Sequence, residues 1–326
     1  MTATRAPSPR FKRPDTEEGI SLTQDDQGIL MSIYRHRVID SSSIYALNSH
    51  RSKQVISRRL RRLWLNEFVD RPVQQNLKMS LKAGSDHLAY AIGREGARYL
   101  REARGLDVSP SRWTQKNAAL RPQTIQHQLS TSRFMVRMAT SASGSLDAKM
   151  LYADEFVELA KKGGERLAGL PNILRTRIRW YGETTEQGTA PDEIFAIDIN
   201  GERQVIFLEI DEGTETVEPN DRKVRSPHFW NDTSILRKMA IYAAAFREGT
   251  HRHTFGIHAF RVLFVTTSEA RAQTMQATYQ RHLAAGDLTA PAGLFLFTDW
   301  ASVADSQDLL SHPLTNGGGR PVLLRR

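Results

Sequence analysis

Four stretches in the first third of the chain repeat apolar residues with the period of an α-helix. The clearest is the third, in which Ile56, Leu60 and Leu63 recur at i, i+4 and i+7 and form one apolar stripe. The first stretch begins at Thr23, a good N-cap residue, and has acids in its first turn. Helices are therefore predicted over residues 23–35, 41–48, 52–65 and 94–105.

Between the third and fourth stretches, FVDRPVQ and HLAYAIG have the pattern of two short strands joined by a loop. Three short helices followed by such a pair predict a winged helix-turn-helix over residues 21–105. In the third helix, Gln54 and Ser57 are expected to reach base edges. The expected phosphate contacts are the basic residues Arg51, Lys53, Arg58 and Arg61. An ordinary amphipathic helix with solvated arginines is the alternative.

The second part of the chain alternates apolar runs with helical patterns. A polar turn splits one apolar run, near residue 200, into a hairpin of two strands. The order α-β-β-β-α-β-α-β predicts an α+β domain. Besides the hairpin, the predicted elements are a helix at 154–163, a strand at 172–181, a helix at 235–246, a strand at 260–267, a helix at 269–285 and a strand at 293–298.

Residues 191–215 contain the pattern with the most chemical information. Asn200-Gly201 predicts a type I′ hairpin turn, because both central positions of that turn need positive φ. The numbers of cross-strand partners then sum to 401, so Ile194 faces Phe207 and Asp198 faces Arg203. Apolar residues meet each other and an acid meets a base, which makes the register chemically consistent.

The same register places Asp192 opposite Glu209 at the open end of the hairpin, with Asp211 on the same face two residues later. Carboxylates about 5 Å apart repel each other unless a cation lies between them. Hard divalent ions such as Mg²⁺ or Mn²⁺ prefer oxygen ligands of this type. The hairpin therefore predicts a metal site, and surface acids brought together by accident are the alternative.

The element order and the P-D…E-x-D spacing resemble the PD-(D/E)XK nuclease superfamily, the restriction-endonuclease-like fold with an αβββαβ core. The resemblance implies that Asp192 and Glu209 are its two acids, whereas Asp211 stands where the family has lysine. Aspartate cannot stabilise negative charge on a scissile phosphate. Some members carry the basic group on the next helix, which implies Lys238, with Tyr242 one turn further along. A solvated lysine and a packing tyrosine are the alternatives.

The string LEIDEGTE, with K-x-x-x-Y downstream and H-x-L at His127 upstream, is similar more specifically to the replication-relaxation proteins. These include the MobC-type plasmid mobilisation relaxases. The resemblance covers roughly residues 20–300. It implies a winged-helix domain joined to a nuclease-like domain that acts at a plasmid transfer origin, using metal rather than a tyrosine nucleophile. Within the shared string, Glu215 would be a further ligand or would hold its loop.

Positive charge is concentrated in the N-terminal part of the chain. Residues 1–126 contain 22 Lys+Arg and 12 Asp+Glu, whereas residues 127–326 contain 23 and 24, which accounts for the net charge of +9. A basic block joined to a near-neutral one indicates a DNA-docking module attached to a second domain. Double-stranded DNA, with a specific origin sequence, is therefore the expected partner.

Composition and the ends of the chain narrow the possibilities further. The chain has no cysteine, which excludes disulfides, thiolate zinc sites and a cysteine nucleophile. No apolar run approaches the ~20 residues needed to span a bilayer, and no hydrophobic signal core is present. A soluble, cytoplasmic protein with no membrane partner is therefore expected.

Two domains are expected from a length of 326 residues. The predicted boundaries are a disordered tail at 1–20, the winged helix-turn-helix at 21–105, a linker at 106–126, the nuclease-like domain at 127–312 and a flexible tail at 313–326. The linker has no sustained period and contains two prolines. The histidines of HRH at 251–253 are interpreted as exposed loop residues rather than zinc ligands.

These patterns favour a metal-dependent endonuclease that nicks a plasmid or mobile-element origin, as a relaxase does in conjugation. Other mobilisation proteins are candidate partners, and a homodimer is left open. The main alternative is a non-catalytic DNA-binding accessory protein or repressor with an inactive nuclease-like domain, which the aspartate at position 211 favours. A defence nuclease is a further alternative that the chain does not distinguish.

Overall fold

The computed structural model describes residues 11–14, 19–78, 87–106, 108–157, 174–286 and 288–325. It divides into two compact units, residues 1–136 and 137–326. Both helices and sheets occur, so the predicted α+β class is confirmed. Among the helices described, none is both long enough and apolar enough to cross a bilayer.

The N-terminal unit packs helices around a small antiparallel sheet. Its helices are α1 (Gln24–His36), α2 (Ser41–Leu47), α3 (Lys53–Leu65), α4 (Arg94–Arg104), α5 (Pro110–Ala118) and α6 (Pro122–Ser143), which continues into the second unit. The strands are β1 (Ile39–Asp40), β2 (Val69–Asp70) and β3 (Ala89–Ile92), in the order β1-β3-β2. The four helices predicted for residues 23–105 are confirmed within one residue, and β3 covers most of the second predicted strand. The first predicted strand, at 68–74, is reduced to the two residues of β2, and a 3-10 helix follows at Val73–Lys78. β1 was not predicted, and residues 79–86 of the connecting loop lie outside the described part.

Local sequence explains why these helices form where they do. Thr23 and Asp26 make a capping box at the start of α1, which satisfies backbone donors that the helix leaves free. The stripe of Ile56, Leu60 and Leu63 is fully buried in the core of the unit. Burial of such side chains stabilises the fold by about 1.5–3 kcal/mol each.

Two segments of this unit differ from the prediction. Residues 106–126, predicted to be an irregular linker, contain α5 and the beginning of α6. Ser109 caps α5 and Pro110 occupies its first position, where a missing N–H costs nothing. In the predicted N-terminal tail, Arg13 donates to the carbonyl oxygens of Trp64 and Val69 and is therefore anchored to the unit. Residues 1–10 and 15–18 of that tail lie outside the described part.

The C-terminal unit is built on a seven-stranded sheet in the order β12-β11-β10-β9-β8-β7-β4. These strands are β4 (Ala148–Tyr152), β7 (Glu193–Ile199), β8 (Glu202–Ile210), β9 (Arg261–Thr266), β10 (Phe295–Asp299), β11 (Leu314–Asn316) and β12 (Pro321–Val322). β7 is antiparallel to β4 and β8, whereas β9 is parallel to β8 and β10. Both faces of the central strands are buried, which explains their nearly continuous apolar sequence.

Helices connect and cover these strands. They are α7 (Ala153–Phe156), α8 (Asp221–Val224), α9 (Ile235–Arg247), α10 (Thr250–Phe255), α11 (Glu269–His282) and α12 (Trp300–Asp305). α9 forms the crossover between the parallel strands β8 and β9, as the sequence predicted. Its buried face packs with Phe207 and Phe264 in the main core of the unit.

The predicted hairpin register is confirmed. Ile194 pairs with Phe207 and Asp198 pairs with Arg203 along the β7–β8 ladder. Asn200 and Gly201 adopt φ values of 52° and 85° at the turn. This conformation is the reason why the Asn-Gly pair could fix the register from sequence alone.

The strand predicted at 172–181 exists but lies outside the main sheet. It is β5 (Leu174–Trp180), which pairs only with β6 (Glu183–Thr189) in a separate two-stranded sheet among the described strands. The neighbour of β7 is instead β4, which the sequence analysis missed. Of the helix predicted at 154–163, α7 covers the first residues, and 158–163 lie outside the described part.

The predicted flexible tail at 313–326 is ordered over its described residues. β11 and β12 form a hairpin at the edge of the main sheet. A Cβ added to Gly317 would lie 2.6 Å from the ring of Tyr279, so the glycine allows the hairpin to approach α11 closely. Leu324 is fully buried. The glycine run therefore serves packing rather than flexibility.

Candidate active site

Asp192 lies immediately before β7, one residue beyond the end of the β7–β8 ladder. Its backbone N–H donates to Leu208 at 3.0 Å, and its carboxylate accepts from the Ile210 N–H at 2.7 Å. These two hydrogen bonds fix the Asp192 side chain against the end of β8. Continuation of the β7–β8 register by one residue places Asp192 opposite Glu209, as predicted. The negative charge of Asp192 accordingly raises the pKa of Glu209.

Glu209 is buried beneath α9, with only 2% of the residue exposed. One carboxylate oxygen accepts from Lys238 Nζ at 3.0 Å and the other from the Tyr242 hydroxyl at 2.5 Å. Lys238 and Tyr242 stand four residues apart on α9 and therefore lie on the same face of the helix. The structure thus brings together Asp192, Glu209, Lys238 and Tyr242, as the sequence predicted.

Lys238 is shared among several acids. Its ammonium group lies 3.0 Å from Glu209 and 3.1 Å from Glu215. Burial alone would lower the pKa of Lys238, but the charges of Glu209, Asp192 and Glu215 raise it well above its usual value. The lysine is therefore a permanent cation at this site.

The surroundings of Glu209 favour its protonated form. Burial is the main cause that raises the pKa of Glu209 to about 7, and the negative charge of Asp192 acts in the same direction. Lys238 and the Tyr242 hydroxyl oppose the shift. A carboxyl group poised near neutral pH, beside a cation, is a common arrangement in active sites.

Asp211 does not join this group. Arg271 on α11 donates to both of its oxygens, at 2.6 and 2.8 Å, and the Thr266 hydroxyl donates at 2.5 Å. Burial would raise the pKa of Asp211, but these hydrogen bonds hold it below its usual range. Asp211, predicted as a metal ligand and catalytic residue, therefore has its carboxylate engaged by Arg271 and Thr266 in this structure, and that role stays a prediction.

The three-acid ligand set expected from the hairpin is accordingly not assembled. Within the described ranges, no group of three His, Cys, Asp or Glu side chains could hold a metal ion. Asp192 and Glu209 remain adjacent. This pair fits Mg²⁺, which is usually held by one or two carboxylates while water and substrate phosphate supply the other ligands.

Glu215 has two connections in the loop after β8. Its carbonyl oxygen accepts from Arg271 at 2.5 Å, so the backbone is tied to the Asp211 pair. Its carboxylate oxygen Oε2 lies 3.1 Å from Lys238 but has no hydrogen bond of good geometry. The backbone of Glu215 thus helps to hold the loop, as one of the two predicted roles requires. Its buried Oε2 is an acceptor that stays available beside Lys238.

The predicted DNA-contacting residues of α3 fall into two groups. Four of them have exposed side chains without a described partner: Lys53, Gln54, Arg58 and Arg61. The other two are engaged within the unit. Arg51 pairs with Asp25 at 2.9 Å, and Ser57 shares a hydrogen bond with Tyr45 at 2.8 Å.

Sequence reasoning missed two buried polar contacts. Arg59 pairs with the fully buried Asp26, so this arginine of α3 is structural. His251 is buried rather than exposed, with each ring nitrogen 3.0–3.1 Å from a backbone carbonyl oxygen. The capping role of Asp26 was readable from Thr23, but no local signal identified its long-range partner.

Comparisons with known proteins identify the family of the chain. Neither the curated proteins nor the solved structures contain a significant match to the chain. The model of the replication-relaxation family matches residues 30–258, more than half of the chain, including all four residues gathered at the buried acid site. That family suggests a role in plasmid replication or mobilisation. The chain therefore belongs to the replication-relaxation family.

Proposed function

We propose that the protein is a DNA-binding, Mg²⁺- or Mn²⁺-dependent endonuclease that nicks DNA at a plasmid or mobile-element origin, like the MobC-type relaxases. The observation that carries the proposal is the contact between Glu209 and Lys238 next to Asp192. Two adjacent acids and one permanent cation supply the ligands and the charge that phosphodiester hydrolysis requires.

The order of the strands supports a nuclease-like domain of the PD-(D/E)XK type. Along β4-β7-β8-β9, two antiparallel pairs are followed by one parallel pair that α9 connects. With α6 before β4, this is the αβββαβ order. The acids stand at the adjoining ends of β7 and β8, and the basic residue stands on the helix that follows.

Each residue has a distinct task in this mechanism. Asp192 and Glu209 would hold the metal, which activates water and stabilises charge on the phosphate when bound. Tyr242 orients the Glu209 carboxylate through its hydroxyl. Lys238 is close enough to both acids to balance their charge and to stabilise negative charge on a bound phosphate. Glu215 keeps Lys238 in place.

The N-terminal unit would locate the DNA. Its first three helices and small sheet support a winged helix-turn-helix, with α3 as the recognition helix. Gln54 is exposed and could reach a base edge, whereas Lys53, Arg58 and Arg61 have the charge and exposure of phosphate contacts. The ion pair of Arg51 with Asp25 makes Arg51 a weaker candidate.

The test is conversion of supercoiled plasmid carrying the cognate origin to the nicked form, with Mg²⁺ and with EDTA. Asp192→Asn and Glu209→Gln should each lower the rate by about 100-fold or more, a loss of ~2.7 kcal/mol of transition-state stabilisation. The matched controls, Asp198→Asn and Glu202→Gln, change the same residue types near the turn of the same hairpin. Equal cleavage by the site variants and the controls would refute the proposal.

A non-catalytic DNA-binding accessory protein or repressor is the second candidate. The Asp211–Arg271 pair favours it, because the third strand-end acid serves stability. It predicts a sequence-specific gel shift with the origin and no cleavage under any metal condition. A defence nuclease would instead cleave DNA that lacks the origin.

A further inference from the structure

The β5–β6 ribbon carries a row of arginines on its solvent-facing side. Burial alternates along β5, so that Leu174, Thr176, Ile178 and Trp180 face the core while Arg175, Arg177 and Arg179 are exposed. In the described part of the chain, none of these arginines forms an ion pair. Alternate residues of a strand lie about 6.7 Å apart, so the row is about 13 Å long.

We propose that this ribbon is a second DNA-contacting surface, on which Arg175, Arg177 and Arg179 bind the phosphate backbone of double-stranded DNA next to the acid site. The inference rests on the proposed function for the identity of its partner. Arginine is well suited to phosphate because its planar group donates two parallel hydrogen bonds. Two-stranded β-ribbons are an established form of DNA-contacting element.

The charge of the ribbon face is favourable for DNA. Opposite the arginines, the register of β6 places Gly188, Glu186 and Thr184. One acid therefore faces three cations, and the surface keeps an excess of two positive charges. The overall charge did not indicate a basic surface here, because the C-terminal part of the chain is nearly neutral. Alternation along β5 concentrates its positive charge on one face.

The ribbon is connected directly to the candidate active site. Thr189, the last residue of β6, hydrogen-bonds to Tyr242, and Asp192 follows three residues later, at most about 10 Å along the chain. Arg237, adjacent to Lys238 on α9, donates to Gln187 of β6 at 3.1 Å. These two contacts come from the core-facing side of the ribbon, so the arginine row lies on the outer side of an element that adjoins the acids.

A basic ribbon at this location would offset the repulsion between the acids of the site and the phosphates of DNA. Asp192, Glu209 and Glu215 give the site three carboxylates for one lysine, and negative charge repels DNA. Arginines on the outer side of the adjoining ribbon would hold the backbone of the same duplex in place before a metal reduces the repulsion. Such contacts position the duplex without reading its sequence.

The test uses the full chain and a fluorescent duplex of arbitrary sequence, in EDTA so that no cleavage occurs. The ribbon variant is Arg175→Gln/Arg177→Gln/Arg179→Gln. The control, Lys149→Gln/Arg203→Gln/Arg320→Gln, removes the same charge from other exposed positions of the unit. The ribbon variant should bind more weakly, and its salt slope should fall by about 2–3, close to 0.9 for each lost phosphate contact.

Equal weakening in both variants, or none in the ribbon variant, would overturn the inference. If the ribbon variant keeps DNA binding but loses binding to anionic lipid vesicles, the surface binds lipid and the inference is also wrong. This binding test does not measure cleavage, so the DNA-binding ribbon and the proposed nuclease are tested by different experiments and can fail separately. Weakened binding without any nuclease activity would leave the ribbon standing and refute the nuclease.

The proximity of the ribbon to DNA can be measured independently of the binding affinity. The chain has no cysteine, so Arg177→Cys introduces a single thiol for a photoactivatable crosslinker. Crosslinking to the duplex should be several-fold greater than for Arg320→Cys, the exposed control. Equal yields would contradict a ribbon contact even if affinity had changed.

Discussion

Glu209 and Asp211 stand two residues apart near the end of β8, yet their surroundings differ. Both are buried, at 2% and 5% exposure. Glu209 lies under α9 with a phenol and a lysine that other acids share, and its pKa is raised, mainly by burial, to about 7. Asp211 lies by α11, where an arginine fork and a hydroxyl hold its pKa below the usual range against the effect of burial.

The difference comes from the cation beside each acid, which is a lysine for Glu209 and an arginine for Asp211. Arg271 covers both oxygens of Asp211 and leaves little room for another ligand. Lys238 is a point charge that contacts one oxygen of Glu209 and Tyr242 donates to the other, so each oxygen keeps a lone pair for a metal. The proposed metal site and a structural ion pair therefore share one strand end.

The largest expected effect separates the structural acid from a surface ion pair. Arg271→Ala leaves Asp211 buried without its cation and should lower the free energy of unfolding by about 3–5 kcal/mol. Arg281→Ala, on the same helix, removes an exposed, solvent-screened pair with Glu218 and should lower stability far less. Urea unfolding of both variants measures the contrast. Similar losses would mean that the Asp211 pair is not a buried anchor.

The pH dependence of stability should have opposite sign for the two acids. Glu209 holds its proton more tightly in the folded state, so its contribution is complete below pH 4.5 and is lost as pH rises to about 7. Relative to wild type, Glu209→Gln should therefore gain up to roughly 3 kcal/mol between pH 5 and 8. Urea titrations at several pH values measure this gain.

Asp211 provides the control for that experiment. Its lowered pKa means that its stabilising contribution is present above pH 3.8 and is lost only as pH falls through the folded pKa. The stability of Asp211→Asn relative to wild type should therefore stay constant between pH 5 and 8. A flat profile for Glu209→Gln as well would remove the distinction between the two acids.

The next effect concerns the phenol that orients Glu209. Tyr242→Phe removes a hydrogen bond to a carboxylate and should cost about 1.5–3 kcal/mol at pH 8, and less at pH 5, where Glu209 is protonated. Tyr279→Phe removes a bond to the Ala290 carbonyl and should cost about 1 kcal/mol at either pH. A pH-independent loss in Tyr242→Phe would show that its acceptor does not titrate.

The smallest effect is expected at Thr266. Thr266→Val deletes one hydroxyl donor to Asp211, but the two bonds from Arg271 remain. The free energy of unfolding should fall by about 1 kcal/mol, and plasmid nicking should stay unchanged. Loss of nicking with retained stability would place Asp211 in the active site after all.

Much of the local structure was predictable because short-range rules determine it. The Asn-Gly turn fixed the hairpin register, and the Thr23 cap and the α3 stripe fixed two helices. Prediction failed where distant residues decide the outcome. The glycine run at 317–319 suggested a flexible tail, but packing against Tyr279 orders it.

By itself, the sequence determined which side chains stand on which face of β8 and α9, because alternation and helical period are local properties. That Lys238 and Tyr242 would meet Glu209 was implied only by the resemblance to the nuclease superfamily. Only the tertiary structure decided which acid received which cation. Lys238 and Arg271 come from different helices, and the long-range packing of each helix in the unit sets the partner and hence the charge state of each carboxylate.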